Sequence, residues 1–150
     1  MTSVNSNVNR DAQDEACVEP QAPALSKLIH AVPGAKVRIE AVVLDDGSCP
    51  AEEFLDQLSD SETAKMQALF DLFVRKFPGN LSDQKFKRIE GTDLFEFKSF
   101  QIRMPCFFFP GGRVLLTYGL KKKADSLRPR DIRKAQDIKS VFERRVKPHG

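Results

Sequence analysis

Arg103 stands in "QIRMPCFFF" between Ile102 and Met104. Strand alternation would put those two apolar side chains on one face and the guanidinium on the other. A guanidinium stays protonated at any working pH and presents a planar fork that fits phosphate oxygens, so a strand arginine of this kind suits a phosphate-bearing ligand. Further on, "LLTYGLKKKADSLRPRDIRKA" sets Tyr118 beside Lys121, Lys122 and Lys123. A ring next to flexible cations is the usual apparatus for stacking a splayed base while gripping successive phosphates. Plainer alternatives stand beside both readings. Arg103 could instead form a salt bridge to Glu96 on the neighbouring strand, and a run of lysines in a loop is often solvated charge and nothing more.

The charge distribution favours the polyanion. Residues 1–60 hold 4 Lys/Arg and 11 Asp/Glu, a net −7, whereas residues 61–150 hold 20 and 10, a net +10. A basic half of that size attracts nucleic acid or an acidic protein over long range and gains from counterion release. Other classes recede. No stretch approaches the ~18 consecutive apolar residues of a membrane span, and "MTSVNSNVNRDAQDEA" has no apolar signal segment, so a cytoplasmic chain is expected. Cys17, Cys49 and Cys106 are odd in number, far apart and form no C-x-x-C pair, which suggests neither a disulfide framework nor a zinc site.

These residues need elements to carry them. A chain of 150 residues with 41% hydrophobic and 30% charged content is long enough for one core and short for two. Residues 1–33 read as a disordered acidic leader, with "PALSKLIHAV" as a short helical turn; a leader folded back over the basic half is the sharper alternative to a plain extension. "KVRIEAVVL" before "DDGS" reads as a strand and turn. "SCPAEEFLDQL" reads as a short helix with Pro50 in its first turn, and Ser61 with Ala64 as the opening of a longer one. Met66, Leu69, Phe70, Phe73, Val74 and Phe77 form its apolar stripe, which Pro78-Gly79 ends. The period then switches to two: residues 94–98, 102–109 and 113–119 are read as an antiparallel meander turning at Pro110-Gly111-Gly112. Pro105 cannot donate a ladder hydrogen bond, so a local distortion is expected around it. Ile132, Ala135, Ile138, Val141 and Phe142 then lie on one face of a terminal helix that leaves a basic surface outside. The expected order is β-α-α-β-β-β-α, an α+β fold.

"DDGSCPAEEFLDQL", "KRIEGTDLFEFK", "QIRMPCFFFPGGRVLLTYG" and "LKKKADSLRPRDIRKA" taken together, in this sequence and spacing, resemble the RelE/HigB-type toxins of type II toxin–antitoxin modules, in particular the phage-derived HigB-like branch. About 110 of the 150 residues are covered. The resemblance implies a twisted antiparallel sheet packed against two helices plus a C-terminal helix, over residues 34–147. It implies a metal-independent endoribonuclease without cofactor that cuts messenger RNA on the ribosome, inhibits translation and is neutralised by a cognate antitoxin, commonly a helix-turn-helix protein. The related ParE toxins share the fold and inhibit DNA gyrase without cutting nucleic acid, and a chain can also keep the fold for binding alone.

Metal-free RNA cleavage needs proton removal from the 2′-hydroxyl, stabilised charge on the phosphoryl oxygens and a protonated leaving oxygen. On the resemblance, Arg103 takes the phosphoryl charge, Glu96 acts as base or orients Arg103, and Tyr118 occupies the position where relatives commonly have histidine. Tyrosine titrates near about 10 and histidine near about 6.5, so neighbouring lysines would have to lower the phenol's pKa, or its hydroxyl would only hydrogen-bond while the ring stacks. Lys121, Lys122, Lys123, Arg88 and Lys98 are the expected phosphate contacts, with Lys87 beside them. His30 and His149 fall in the leader and at the C-terminal end, and neither is expected to be catalytic.

Overall fold

The structure, a computed structural model, describes residues 24–123 and 126–146. Along the chain run β1 (Ser26–His30), β2 (Arg38–Val42), α1 (Pro50–Asp56), α2 (Asp60–Lys76), β3 (Phe86–Arg88), β4 (Phe95–Ser99), β5 (Ile102–Phe109), β6 (Arg113–Leu116), β7 (Leu120–Lys121) and α3 (Pro129–Val146). All seven strands share one sheet in the order β1-β2-β6-β5-β4-β3, with β7 also paired to β5. The α+β class and the terminal helix are as the sequence reads. No helix among the described residues is long and apolar enough to cross a membrane.

Helix α2 forms where its pattern says it should. Met66, Leu69, Phe70, Phe73 and Val74 are its buried residues, at three- and four-residue spacing. Its start lies slightly earlier than Ser61: the Ser59 side chain accepts from the Glu62 N–H while Glu62 reaches back to the Ser59 N–H, a reciprocal cap. The stripe packs on the sheet face carrying Ile39, Ala41, Phe97, Met104, Val114 and Leu116. Phe70 and Phe73 meet Phe97 edge-on, with centroids 5.1 and 5.0 Å apart. Each such pair is worth about 0.5–1.5 kcal/mol beyond the area it buries. The opposite face, with Val42, Phe107 and Leu115, receives Ala135, Ile138 and Phe142 of α3. Both faces of the sheet are therefore covered, and β5 contributes to both.

Four features depart from the reading of the sequence. Residues 26–30, read as part of the leader and as a helical turn, form strand β1, antiparallel to β2. The open edge of β2 offers unpaired backbone groups, and pairing them outweighs a weak local preference for helix. The remaining leader, residues 1–23, lies outside the described residues. Secondly, β2 runs parallel to β6, with Ile39 opposite Val114. The long connection through both helices permits this, as a hairpin would not. Thirdly, β3 and β7 are additional strands, of three and two residues.

Lastly, the distortion expected at Pro105 falls on its neighbour. β5 keeps continuous register with β4 through Pro105. The Pro105 carbonyl accepts from the Thr117 N–H at 2.9 Å and from the Thr117 hydroxyl at 2.7 Å. Pro105 has no N–H to return on that side, so β6 stops at Leu116 and the chain rejoins β5 only at Leu120.

The interrupted segment ends at Gly119, directly under the ring of Phe54 just inside α1. A Cβ on Gly119 would stand 2.2 Å from Phe54 Cδ2, so the ring requires glycine there. We expect Gly119→Ala to lower stability by about 1–3 kcal/mol as overpacking does, read as a shift of the urea midpoint. In a Phe54→Ala background the same change should cost little. An equal loss in both backgrounds would show that the Phe54 contact is not the cause.

Candidate nucleic-acid interface

Register on the β4–β5 hairpin decides which charges meet. Phe97 pairs with Met104 on the aromatic face, so the intervening pairs, Glu96 with Pro105 and Lys98 with Arg103, lie on the other. Lys87 of β3 stands opposite Glu96 on that same face. The structure thus brings together three of the residues singled out in the sequence, Glu96, Lys98 and Arg103, with Lys87 beside them.

Arg103 is 4% exposed and Glu96 2% exposed. Arg103 Nη1 donates to the carbonyls of Phe100 at 2.6 Å and Ile102 at 2.9 Å, which fixes the guanidinium against its own hairpin turn. Arg103 Nε and Glu96 Oε1 have no hydrogen-bond partner, the two such buried side-chain atoms among the described residues. The ion pair that would have made this arrangement purely structural is not formed. An unsatisfied buried polar group costs about 1–3 kcal/mol, and more if charged, so leaving two on adjacent strands needs a reason. Burial pushes the Glu96 carboxyl above the ordinary carboxylate range, and the charges of Lys98, Arg103 and Lys87 pull the other way without cancelling it.

Arg103 and Lys98 open onto a groove of about 720 Å³ at the hairpin turn, also lined by Lys65 of α2, Lys85, Lys87 and Phe100. No carboxylate lines it. Lys65 and Lys85 escape a reading of the sequence because nothing local links a helix position and a loop position to the β4–β5 turn. Phe100 escapes it because aromatics in this chain are overwhelmingly core. Its signal is its place between two period-two runs, where a turn residue belongs.

The remaining expected residues lie elsewhere. Arg88 pairs with Phe95 across β3 and β4, donates from Nε to the Thr92 carbonyl at 2.8 Å and lines a separate, Phe-rich hollow. The lysine run is divided between the two helical layers. Lys121, in β7 and not in a loop, bonds Glu62 of α2 at 2.9 Å. Lys122 is largely covered, 3.4 Å from Asp131 of α3, and Lys123 is exposed.

Tyr118 sits 5% exposed in the core beneath α3, and its hydroxyl donates to the Asp131 carbonyl at 3.0 Å. Lys134 Nζ lies over its ring, 4.5 Å from the centroid. The shift anticipated from neighbouring lysines is reversed: burial, aided by the Asp131 charge, pushes the phenol up to about 12. A phenolate is disfavoured there, and the covered ring is not a free stacking surface. His30, in β1, bonds Asp71 of α2 at 2.9 Å; His149 lies outside the described residues. Cys49 and Cys106 are buried free thiols. Among the described residues no group of three His, Cys, Asp or Glu side chains gathers as a metal site.

Residues 53–140 match the family described as phage-derived protein Gp49-like, a span that runs from α1 through most of α3 and contains the whole β4–β5 hairpin. No curated protein matches the chain. With more than half of its length matched, the chain belongs to the phage-derived Gp49-like family, a family of toxin-like proteins, which implies an antitoxin as partner.

Proposed function

We propose that the protein is the toxin of a type II toxin–antitoxin module, related to the HigB branch, and that it cleaves messenger RNA on the ribosome without a metal. The observation that carries this reading is the buried pair of unpartnered atoms, Arg103 Nε and Glu96 Oε1, set on one sheet face beside Lys87 and Lys98. A donor and an acceptor kept desolvated and unused by the fold suit two of the three needs of an in-line attack on phosphorus, proton removal and charge stabilisation.

In this mechanism Glu96 accepts the proton of the 2′-hydroxyl, and the freed oxygen attacks the adjacent phosphorus. Arg103 Nε donates to a phosphoryl oxygen as negative charge grows on it. The bond to the 5′-oxygen breaks as that oxygen takes a proton from water, and Glu96 releases the proton it accepted back to solvent, leaving a 2′,3′-cyclic phosphate and a 5′-hydroxyl. A carboxyl raised by burial is a better base near neutral pH than an ordinary glutamate. Lys98 and Lys87 hold the flanking phosphates. Tyr118 serves as a positioning residue: through the Asp131 carbonyl it fixes the start of α3, and Asp131 in turn holds Lys122. The antitoxin, on this reading a helix-turn-helix protein, neutralises the toxin by covering the groove.

Induction should arrest growth, with new 5′ ends in cellular messages and unchanged plasmid supercoiling. Arg103→Ala and Glu96→Gln should each lower cleavage about 10²-fold or more while circular dichroism shows a folded chain. Lost supercoiling with intact messages would instead assign a gyrase inhibitor.

Since the base works deprotonated, cleavage should rise with pH through a limb above the ordinary value of about 4.3, and Glu96→Gln should abolish that limb.

Tyr118 is the single tyrosine of a chain without tryptophan, so its near-ultraviolet titration is unobstructed. The midpoint should fall at about 12. The unfolded chain gives up this proton near about 10. The folded protein retains it to a higher pH, so stability should decline as pH rises through that window. Tyr118→Phe should cost about 1 kcal/mol of stability yet leave cleavage within a few-fold of wild type.

A further inference from the structure

Phe100 is at odds with the folding rules that the rest of the chain obeys. It is 80% exposed, the most exposed large apolar side chain among the described residues. It occupies the first position of the two-residue turn between Ser99 and Ile102, with φ of +55°, the only non-glycine residue with positive φ among the described residues. Two-residue hairpin turns take glycine, asparagine or aspartate at such a position, and a bulky ring is strained in it. The ring joins neither core. Among the described residues, the group over its ring is Lys65 Nζ, 4.7 Å from the centroid. Neither packing nor backbone preference accounts for a phenylalanine here.

Its surroundings are specific. The Phe100 carbonyl receives Arg103 Nη1, so the ring and the guanidinium whose Nε is unpartnered belong to one turn. The ring borders the groove lined by Lys65, Lys85, Lys87, Lys98 and Arg103, and it also borders a second hollow of about 390 Å³ on the Glu62 side. The one carboxylate lining that hollow, Glu62, is already engaged by Lys121 and by the helix cap. We infer that Phe100 is the stacking platform for an unpaired base of a single-stranded nucleic acid whose phosphates lie on the groove cations. This rests on the RNA reading above and deepens it by adding a base-recognition element. Five cations with no opposing carboxylate in the groove favour a phosphate chain. An exposed ring carried beside them supplies what phosphate contacts alone lack, a surface that every base can use. Double-stranded nucleic acid does not fit, because its bases are already stacked on one another.

The test measures binding of the full chain to a short single-stranded RNA made uncleavable by 2′-O-methyl groups and carrying 2-aminopurine, whose fluorescence falls on stacking. Wild type and Phe100→Tyr should bind and quench. Phe100→Ala should bind about five-fold or more weakly, with quenching lost and the salt dependence unchanged, since no phosphate contact is removed. Lys98→Ala should instead flatten the salt dependence. Phe100→Gly suits a positive φ and should show the same weakened binding at undiminished stability. Unchanged affinity and quenching in Phe100→Ala would overturn the platform while leaving the RNA reading in place. Failure of the wild type to bind RNA would overturn both. A Phe100→Gly protein that loses as much stability as affinity would make the ring a structural device. Lost grip on the antitoxin with full RNA affinity would make it a protein-docking residue. Either result overturns the inference.

Discussion

The alternation along β5, held in register against β4, is the constraint on which the remaining architecture hangs. Ile102, Met104 and Cys106 enter the core that α1 and α2 cover, while Phe107 enters the core that α3 covers. Arg103 lies on the same face as Phe107, toward the hairpin turn. A slip of one residue would drive Arg103 into the aromatic cluster around Phe97 and take Met104 out of it. The edge-on packing of Phe70 and Phe73 against Phe97 forbids that slip. The apolar core and the charged groove are thus two results of one register. The side chains that give nothing to the core are aimed by those that do.

A second consequence follows from Pro105. Its missing N–H releases the chain after Leu116, and the released segment reaches outward on both sides of the sheet. Thr117 stays on β5, Tyr118 turns beneath α3, and Gly119 passes under Phe54 of α1. Lys121 and Lys122 then fasten the same stretch to Glu62 of α2 and Asp131 of α3. A short, irregular piece of chain thereby joins all three helices to the central strand. The lysine run that suggests a phosphate track in the sequence is, for two of its three members, engaged in that joining.

What could be read in the sequence follows from the range of the interactions involved. The α2 stripe and the strands of the meander are set by periodicity over many residues, and local order reveals them. Strands of two or three residues carry no period, so β3 and β7 leave no trace. β1 forms because β2 needs an edge partner, a requirement invisible in residues 26–30 themselves. Arg103 and Lys98 could be placed by alternation. Lys65 and Lys85 could not, because only the folded chain carries α2 and the loop before β3 to the hairpin turn. The burial of Tyr118 is illegible for the same reason: it depends on the Asp131 carbonyl, supplied by a helix that begins only at Pro129.

Glu96 and Arg103 carry one more implication, for the history of such a chain. Removing two desolvated polar groups and filling their places with well-packed apolar side chains is commonly neutral or stabilising. The hairpin would therefore fold as well or better with, for example, leucine and methionine at these positions. On the proposed reading, only the need for these two groups in cleavage opposes that drift. In a lineage whose toxin had fallen out of use, these two strand positions would be expected to turn apolar early, while the phenylalanines behind them stayed as they are.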